Sequence, residues 1–148
     1  MNEKLIKLIS CLRDNSREKL TKISKTTGVP VSTLFDSIKI LQKNIIHKNT
    51  VLLNFSELGY HTRAMVFLKT SGESKESLRN HLSCNNSVNS FYKINNGWDF
   101  MIETIHPNVK DLDFFLENIS QRFGLENQEI HYLIDEIKKE EFKPDHAV

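Results

Sequence analysis

The period of the hydrophobic repeat changes partway along this chain, and that change limits the fold more than any other feature. Up to about residue 44, apolar residues recur every three or four positions: Leu5, Leu8, Ile9 and Leu12, then Leu20 and Ile23, then Leu34, Phe35, Ile38 and Leu41. That spacing lines one face of a helix. Beyond residue 61, residues 62–69, 88–94 and 98–105 are short β-prone runs, the first of them alternating in twos, as on a strand with two faces. A chain of 148 residues with the two periods segregated reads as two small domains of different class.

The breaks between the front helices are specific. Asp14, Asn15 and Ser16 interrupt the first repeat with residues suited to a helix N-cap. Gly28-Val29-Pro30 closes the second helix, because glycine accepts a positive φ and proline cannot continue the hydrogen-bond ladder. Ser32 or Thr33 is then expected to cap a third helix that stops near Lys43 and Asn44. Short helices with a tight glycine turn between the last two follow the helix-turn-helix plan. Residues 45–54 are rich in β-branched side chains and read as a short strand pair, a wing. The expected boundaries are a winged helix-turn-helix domain over 1–54 and a linker over 55–61.

The rest, 62–148, reads β-α-β-β-α-β. Ser74 is a cap candidate for a helix carrying Leu78 and Leu82, and Asn95-Asn96-Gly97 supplies a turn between the second and third strands. Pro107 and Asn108 open a second helix with Val109, Leu112, Leu116, Ile119 and Phe123 on one stripe, and Gly124 ends it. The last strand is placed at 129–137, with a polar tail from Lys138 onward. This order predicts a ferredoxin-like domain, and the fold class is α+β. Ala64, Val66 and Leu68 point to one face of the first strand, Met65 and Phe67 to the other; Phe100 and Ile102 oppose Met101 in the same way. Two helices cover one face of such a sheet, so an apolar second face calls for another cover, most simply a second copy of the chain.

Mean hydropathy is −0.41, and no apolar run is long enough to cross a membrane as a helix. The charged first residues, 1–7, do not suit a signal peptide. Cys11 and Cys84, one in each half, fit free thiols in a reducing, cytoplasmic setting. The net charge of +1 conceals an asymmetry. Residues 1–54 hold ten lysines and arginines against four acidic residues, whereas the remainder holds ten against fifteen. A basic front domain suits a polyanionic partner.

Three segments, in order and at fitting spacing, resemble the Lrp/AsnC family of prokaryotic transcription factors, especially its archaeal members. Lys22-Ile23-Ser24-Lys25-Thr26-Thr27-Gly28-Val29-Pro30-Val31-Ser32-Thr33-Leu34 resembles the family's helix-turn-helix. Leu58-Gly59-Tyr60 resembles its linker, and Ile94-Asn95-Asn96-Gly97-Trp98-Asp99-Phe100 its glycine-containing hairpin followed by an aspartate. The resemblance implies a sequence-specific regulator that binds double-stranded DNA as a homodimer, often assembled into tetramers or octamers. It also implies a back domain that can bind a small effector, often an amino acid, between subunits; no cofactor or metal is expected.

On the third helix, Ser32, Thr33, Asp36, Ser37, Lys39 and Lys43 are the expected groups for base edges and phosphates. Arg17, Lys22, Lys25 and Lys48 supply sequence-independent attraction. The helix departs from the family in carrying no arginine, so the bidentate contact of arginine with guanine is absent, and Asp36 repels phosphate unless it accepts a hydrogen bond. In the hairpin, the amides of Asn95, Asn96 and Gly97 are expected to hold a carboxylate and Asp99 an ammonium group. The family's glycine is replaced by Asn96, with Gly97 one position later.

Two other classes compete. Siroheme decarboxylases resemble the same two-domain plan, but His61, His81, His106 and His131 are scattered, and Asp99 and Glu103 share strand parity without a nucleophile. His81 and Cys84 lack the second pair that a tetrahedral metal site needs. An oligomeric interaction module without DNA binding fits the arginine-free helix but not the basic front domain. The chain is therefore expected to be a regulator and not an enzyme.

Overall fold

The computed structural model describes residues 2–144, so Met1 and the end of the polar tail, residues 145–148, lie outside the described residues. The chain forms two compact units, Met1–Leu52 with Ile137–Val148, and Leu53–Glu136.

The first unit holds α1 (Glu3–Asp14), α2 (Leu20–Thr27) and α3 (Val31–Asn44). Asn2 caps α1 by accepting the Lys4 N–H at 2.7 Å. Leu8, Ile23, Val29, Leu34 and Leu41 are buried together, with Leu5, Ile9, Leu12, Leu20, Ile38 and Ile46 packed around them. One helix from each period-four run therefore contributes to a single core.

The sequence tail does not extend the second domain. The Arg13 guanidinium donates to the carbonyls of Phe142 (2.9 Å) and Glu140 (2.5 Å), and Lys143 pairs with Asp14. The chain from Ile137 thus returns to α1.

The expected strand pair over 45–54 is absent. Residues 46–54 have no regular structure, and a single 3₁₀ turn, Ser56–Leu58, precedes the next element. Val51, Leu52 and Leu53 are exposed there. β-branched composition marks a segment suited to a pleated surface, but a strand also needs a hydrogen-bonded neighbour, and this unit offers none.

The second unit runs β1 (Thr62–Thr70), α4 (Lys75–Ser83), β2 (Val88–Lys93), β3 (Phe100–His106), α5 (Val109–Phe123) and β4 (Leu125–Tyr132). The strand order is β2-β3-β1-β4, every pair antiparallel, which is the ferredoxin-like arrangement. Asn108 caps α5 through the Asp111 N–H at 2.8 Å, and Gly124 ends it in a left-handed conformation, φ 59°. Ser74 stands at the N-cap of α4, but its side chain makes no capping hydrogen bond.

β4 begins and ends earlier than the expected 129–137. It leaves directly from Gly124, and its pairing with β1 stops at Ala64 opposite Tyr132. The last bond between the two segments is Leu133 N–H to the Arg63 carbonyl, while β1 continues to Thr62, which pairs with His106 of β3. Ala64, Val66, Leu68, Phe100 and Ile102 face α4 and α5 and are buried with Leu78, Leu82, Leu112, Leu116, Ile119 and Phe123. The opposite face carries the half-buried Met65, Phe67 and Met101, with Trp98 5.8 Å from the Phe67 ring. An Arg63–Glu103 ion pair of 2.7 Å lies on that face.

His106, at the end of β3, is 5% exposed. The Thr104 hydroxyl donates to the Ser87 carbonyl at 3.1 Å and so accepts the His106 Nε2–H at 2.6 Å. Burial holds this imidazole below its ordinary pKa of 6.5, outweighing the Asp111 carboxylate. The unfolded chain therefore takes up this proton first, and the folded state loses stability as pH falls below 6.5. His81, lowered by burial and then by Arg122, acts with the same sign. The urea midpoint is expected to drop between about pH 7.5 and about pH 5.5, and to drop less in His106→Gln. An equal drop in that variant would remove His106 from the account.

Candidate nucleic-acid interface

Gly28 produces the turn between α2 and α3. It takes a left-handed conformation (φ 72°, ψ 10°), and its N–H closes on the Ser24 carbonyl at 2.9 Å. The Thr27 hydroxyl donates to the Ile23 carbonyl at 2.7 Å and accepts the Val29 N–H at 3.3 Å, fixing the exit. Pro30, not Ser32 or Thr33, is the N-cap of α3, and it makes no side-chain cap. The ring pre-sets the φ angle for helix entry, and the helix starts two to three residues sooner than a hydroxyl cap at Ser32 or Thr33 would place it. Among the described residues, the N–H groups of Val31, Ser32 and Thr33 have no partner. They give the helix N-terminus free donors for an anionic oxygen.

The buried stripe of α3 is Leu34, Ser37 and Leu41. Ser37, expected on the outer face, therefore faces inward. Phe35, expected in the core, is 54% exposed with the Lys39 ammonium 4.5 Å above its ring centre. The reason is rotational. Residues 34, 37 and 41 share one side of a helix, and a small serine at the middle position lets α3 pack closely, which turns residue 35 outward. Hydrophobicity alone assigns both residues the other way. A closer count of three- and four-residue spacings around Leu34 and Leu41 is the one sequence signal that finds Phe35.

Ser32, Asp36, Lys39 and Lys43 are exposed on the outer side of α3 at spacings of three and four, and Thr33 is half-buried. Lys22 is paired with Glu18 at 3.0 Å, which lowers the Glu18 carboxyl. Arg17, Lys25, Lys43 and Lys48 are exposed, and none has an ion-pair partner among the described residues. Asp36 likewise has none, so its carboxylate is an open acceptor one turn before Lys39.

The hairpin between β2 and β3 is the second candidate site. Asn96 (φ 64°) and Gly97 (φ 89°) are both left-handed, and asparagine tolerates that geometry better than most residues. The side-chain amides of Asn95 and Asn96 are exposed and without hydrogen-bond partners among the described residues. Asp99 is not free beside them. It accepts the Thr70 N–H at 2.9 Å and pairs with Lys75 at 3.0 Å. The Thr70 bond first, and then Lys75, hold its carboxyl below the ordinary aspartate value against the effect of burial. The structure thus gathers Asn95, Asn96 and Gly97 at the tip and ties Asp99 to the end of β1.

No protein-family model matches the chain. An uncharacterized HTH-type transcriptional regulator of Pyrococcus horikoshii is 26% identical over 138 residues, 93% of each chain. The HTH-type transcriptional regulator FL11 of Pyrococcus abyssi is 26% identical over 121 residues, 81% of this chain and 80% of its own. Among solved structures, a transcriptional regulator of Neisseria meningitidis in complex with L-Met superposes with a TM-score of 0.87 at 15% identity, covering 94% of this chain and 93% of that one. AsnC of E. coli superposes with a TM-score of 0.85 at 18% identity, covering 97% and 99%.

Proposed function

We propose that this chain is a helix-turn-helix transcriptional regulator of the Lrp/AsnC type, and that it reads DNA through the outer face of α3 as a homodimer in the cytoplasm. The observation that carries this reading is the uncapped N-terminus of α3 followed by Ser32, Asp36, Lys39 and Lys43 on one exposed face. A helix presented this way offers backbone N–H groups and lysines to phosphates while its polar side chains reach base edges. Arg17, Lys22, Lys25 and Lys48 add attraction that is independent of sequence. Asp36 suits the exocyclic amino group of cytosine. Two such helices in a two-fold dimer would enter successive major grooves, about 34–36 Å apart.

The face of the sheet away from the helices, with Met65, Phe67 and Met101 half-buried in the single chain, supports dimerisation there. The hairpin tip supports an amino-acid effector, its carboxylate held by the amides of Asn95, Asn96 and Gly97. In this arrangement Asp99 holds the hairpin in place while engaged with Thr70 and Lys75, and it meets an ammonium group only by exchanging Lys75. The Neisseria meningitidis structure, solved with L-Met, makes methionine the first amino acid to try.

The test is fluorescence anisotropy with the DNA upstream of the protein's own gene against a scrambled duplex, with and without millimolar L-methionine. Tighter binding to the upstream DNA, by roughly 10³-fold or more, is the expected result. Equal binding to both duplexes would reject a specific operator at that site. A shift with methionine that the Asn95→Ala/Asn96→Ala variant loses would support the hairpin as the effector site.

A further inference from the structure

Phe35 is the one large aromatic side chain on the exposed side of α3, and nothing about a stable helix requires it there. Ser32, Asp36, Lys39 and Lys43 are polar neighbours on that side, where the aliphatic Val31 and Ile40 are exposed as well. Slightly more than half of its surface is open to water. Lys39 sits over one face of the ring, which orients the aromatic group. A phenyl ring has no hydrogen-bonding group, so it cannot read a donor or acceptor in the major groove. The one apolar feature that base edges present there is the C5-methyl group of thymine.

We propose that Phe35 is a specificity-determining residue that packs on a thymine methyl group in each half-site, with Lys39 both fixing the ring and reaching the adjacent phosphate. The inference rests on α3 being the DNA-reading helix, and it adds a base identity that the polar residues of that helix do not supply. Serine and lysine accept more than one partner, and Asp36 favours cytosine. The apolar contact removes ring surface from water only when a methyl group is present, so it discriminates by burial and not by hydrogen bonding.

The experiment begins by selecting duplexes from a random pool with the full-length wild-type protein. Each thymine of the selected site is then replaced by deoxyuridine, which deletes only the methyl group. Removing the contacted methyl from one half-site is expected to weaken wild-type binding about fourfold, the worth of one buried methyl-sized group. Phe35→Ala is expected to bind the thymine duplex as weakly as wild type binds the uracil duplex, and to show no further weakening with uracil. Phe35→Leu should recover part of the thymine preference. The ring is exposed, so the variants should keep the wild-type melting temperature and sedimentation coefficient.

Failure to select any sequence would reject the regulator's reading helix itself. Selection of a site whose affinity is unmoved by uracil, or equal uracil sensitivity in Phe35→Ala, would overturn the role of Phe35 alone. A changed sedimentation coefficient in Phe35→Ala with unchanged uracil sensitivity would also overturn it, and would assign the ring to a contact between copies of the chain.

Discussion

Affinity for DNA is expected to fall by about 10³ as salt rises from about 50 to about 200 mM, the consequence of roughly six phosphate contacts in the proposed dimer. The large response follows from the composition of the reading surface. The front of the chain is basic, but α3 carries lysines and no arginine. Lysine acts as a hydrated point charge, without the bidentate geometry that would add base-specific binding. Counterion release therefore supplies much of the binding free energy, and salt opposes it directly. In Lys39→Ala/Lys43→Ala, binding is expected to weaken on all sequences, and the slope of log affinity against log salt to become shallower by about one for every phosphate that is no longer neutralised. A wild-type weakening of only about twofold over the same range would mean that these lysines do not face phosphates. An unchanged slope in the double variant would reassign the phosphate-binding role to Arg17, Lys25 and Lys48.

Arg63→Met is expected to destabilise the second unit by about 3–5 kcal/mol, because it takes the guanidinium away from a buried carboxylate. Glu103 has a side chain 7% exposed, and Arg63, 18% exposed, donates to it at 2.7 Å. The same guanidinium reaches Glu136 at 2.7 Å, and the Asn89 amide donates to the other oxygen of Glu103. Removing the arginine takes its positive charge from a carboxyl group with little access to water. Replacing both members, as Arg63→Met/Glu103→Leu, removes the buried carboxylate together with its cation and should restore most of the stability. Trp98 is the single tryptophan. It packs on Phe67, on the same side of the sheet, so its fluorescence in urea follows this unit. A destabilisation below about 1 kcal/mol in the single variant would show the pair to be as well screened as a surface ion pair.

Much of the architecture was legible because it depends on local chemistry. The period-four runs, Gly28 in its left-handed turn, Asn108 as a cap and Gly124 as a stop all act within a few residues of themselves. Their elements appear within a residue or two of where the spacing places them. The alternation of Ala64, Val66 and Leu68 against Met65 and Phe67 was equally readable, since strand geometry alone sends successive side chains to opposite faces. The candidate sites were less legible. The exposed lysines of α3 could be read from polarity, but Ser37 and Phe35 exchanged places because the rotation of a helix is set by what packs against it. Asp99 was visible as a carboxylate beside a turn, whereas its partners Thr70 and Lys75 are about thirty and twenty-five residues away in sequence.

The sequence by itself determined which segments are helix and strand, where the chain turns and that its basic charge gathers at the front, because those properties follow from backbone geometry and side-chain chemistry over short distances. Only the tertiary structure decided that residues 45–54 form no strand pair, that β4 ends at Tyr132, that the tail returns to α1 and that a phenylalanine stands on the outer face of α3. Each of those outcomes depends on a partner distant in sequence. Hydrogen bonding and burial are satisfied by whatever the fold brings near, and the residues of one segment do not specify what that will be.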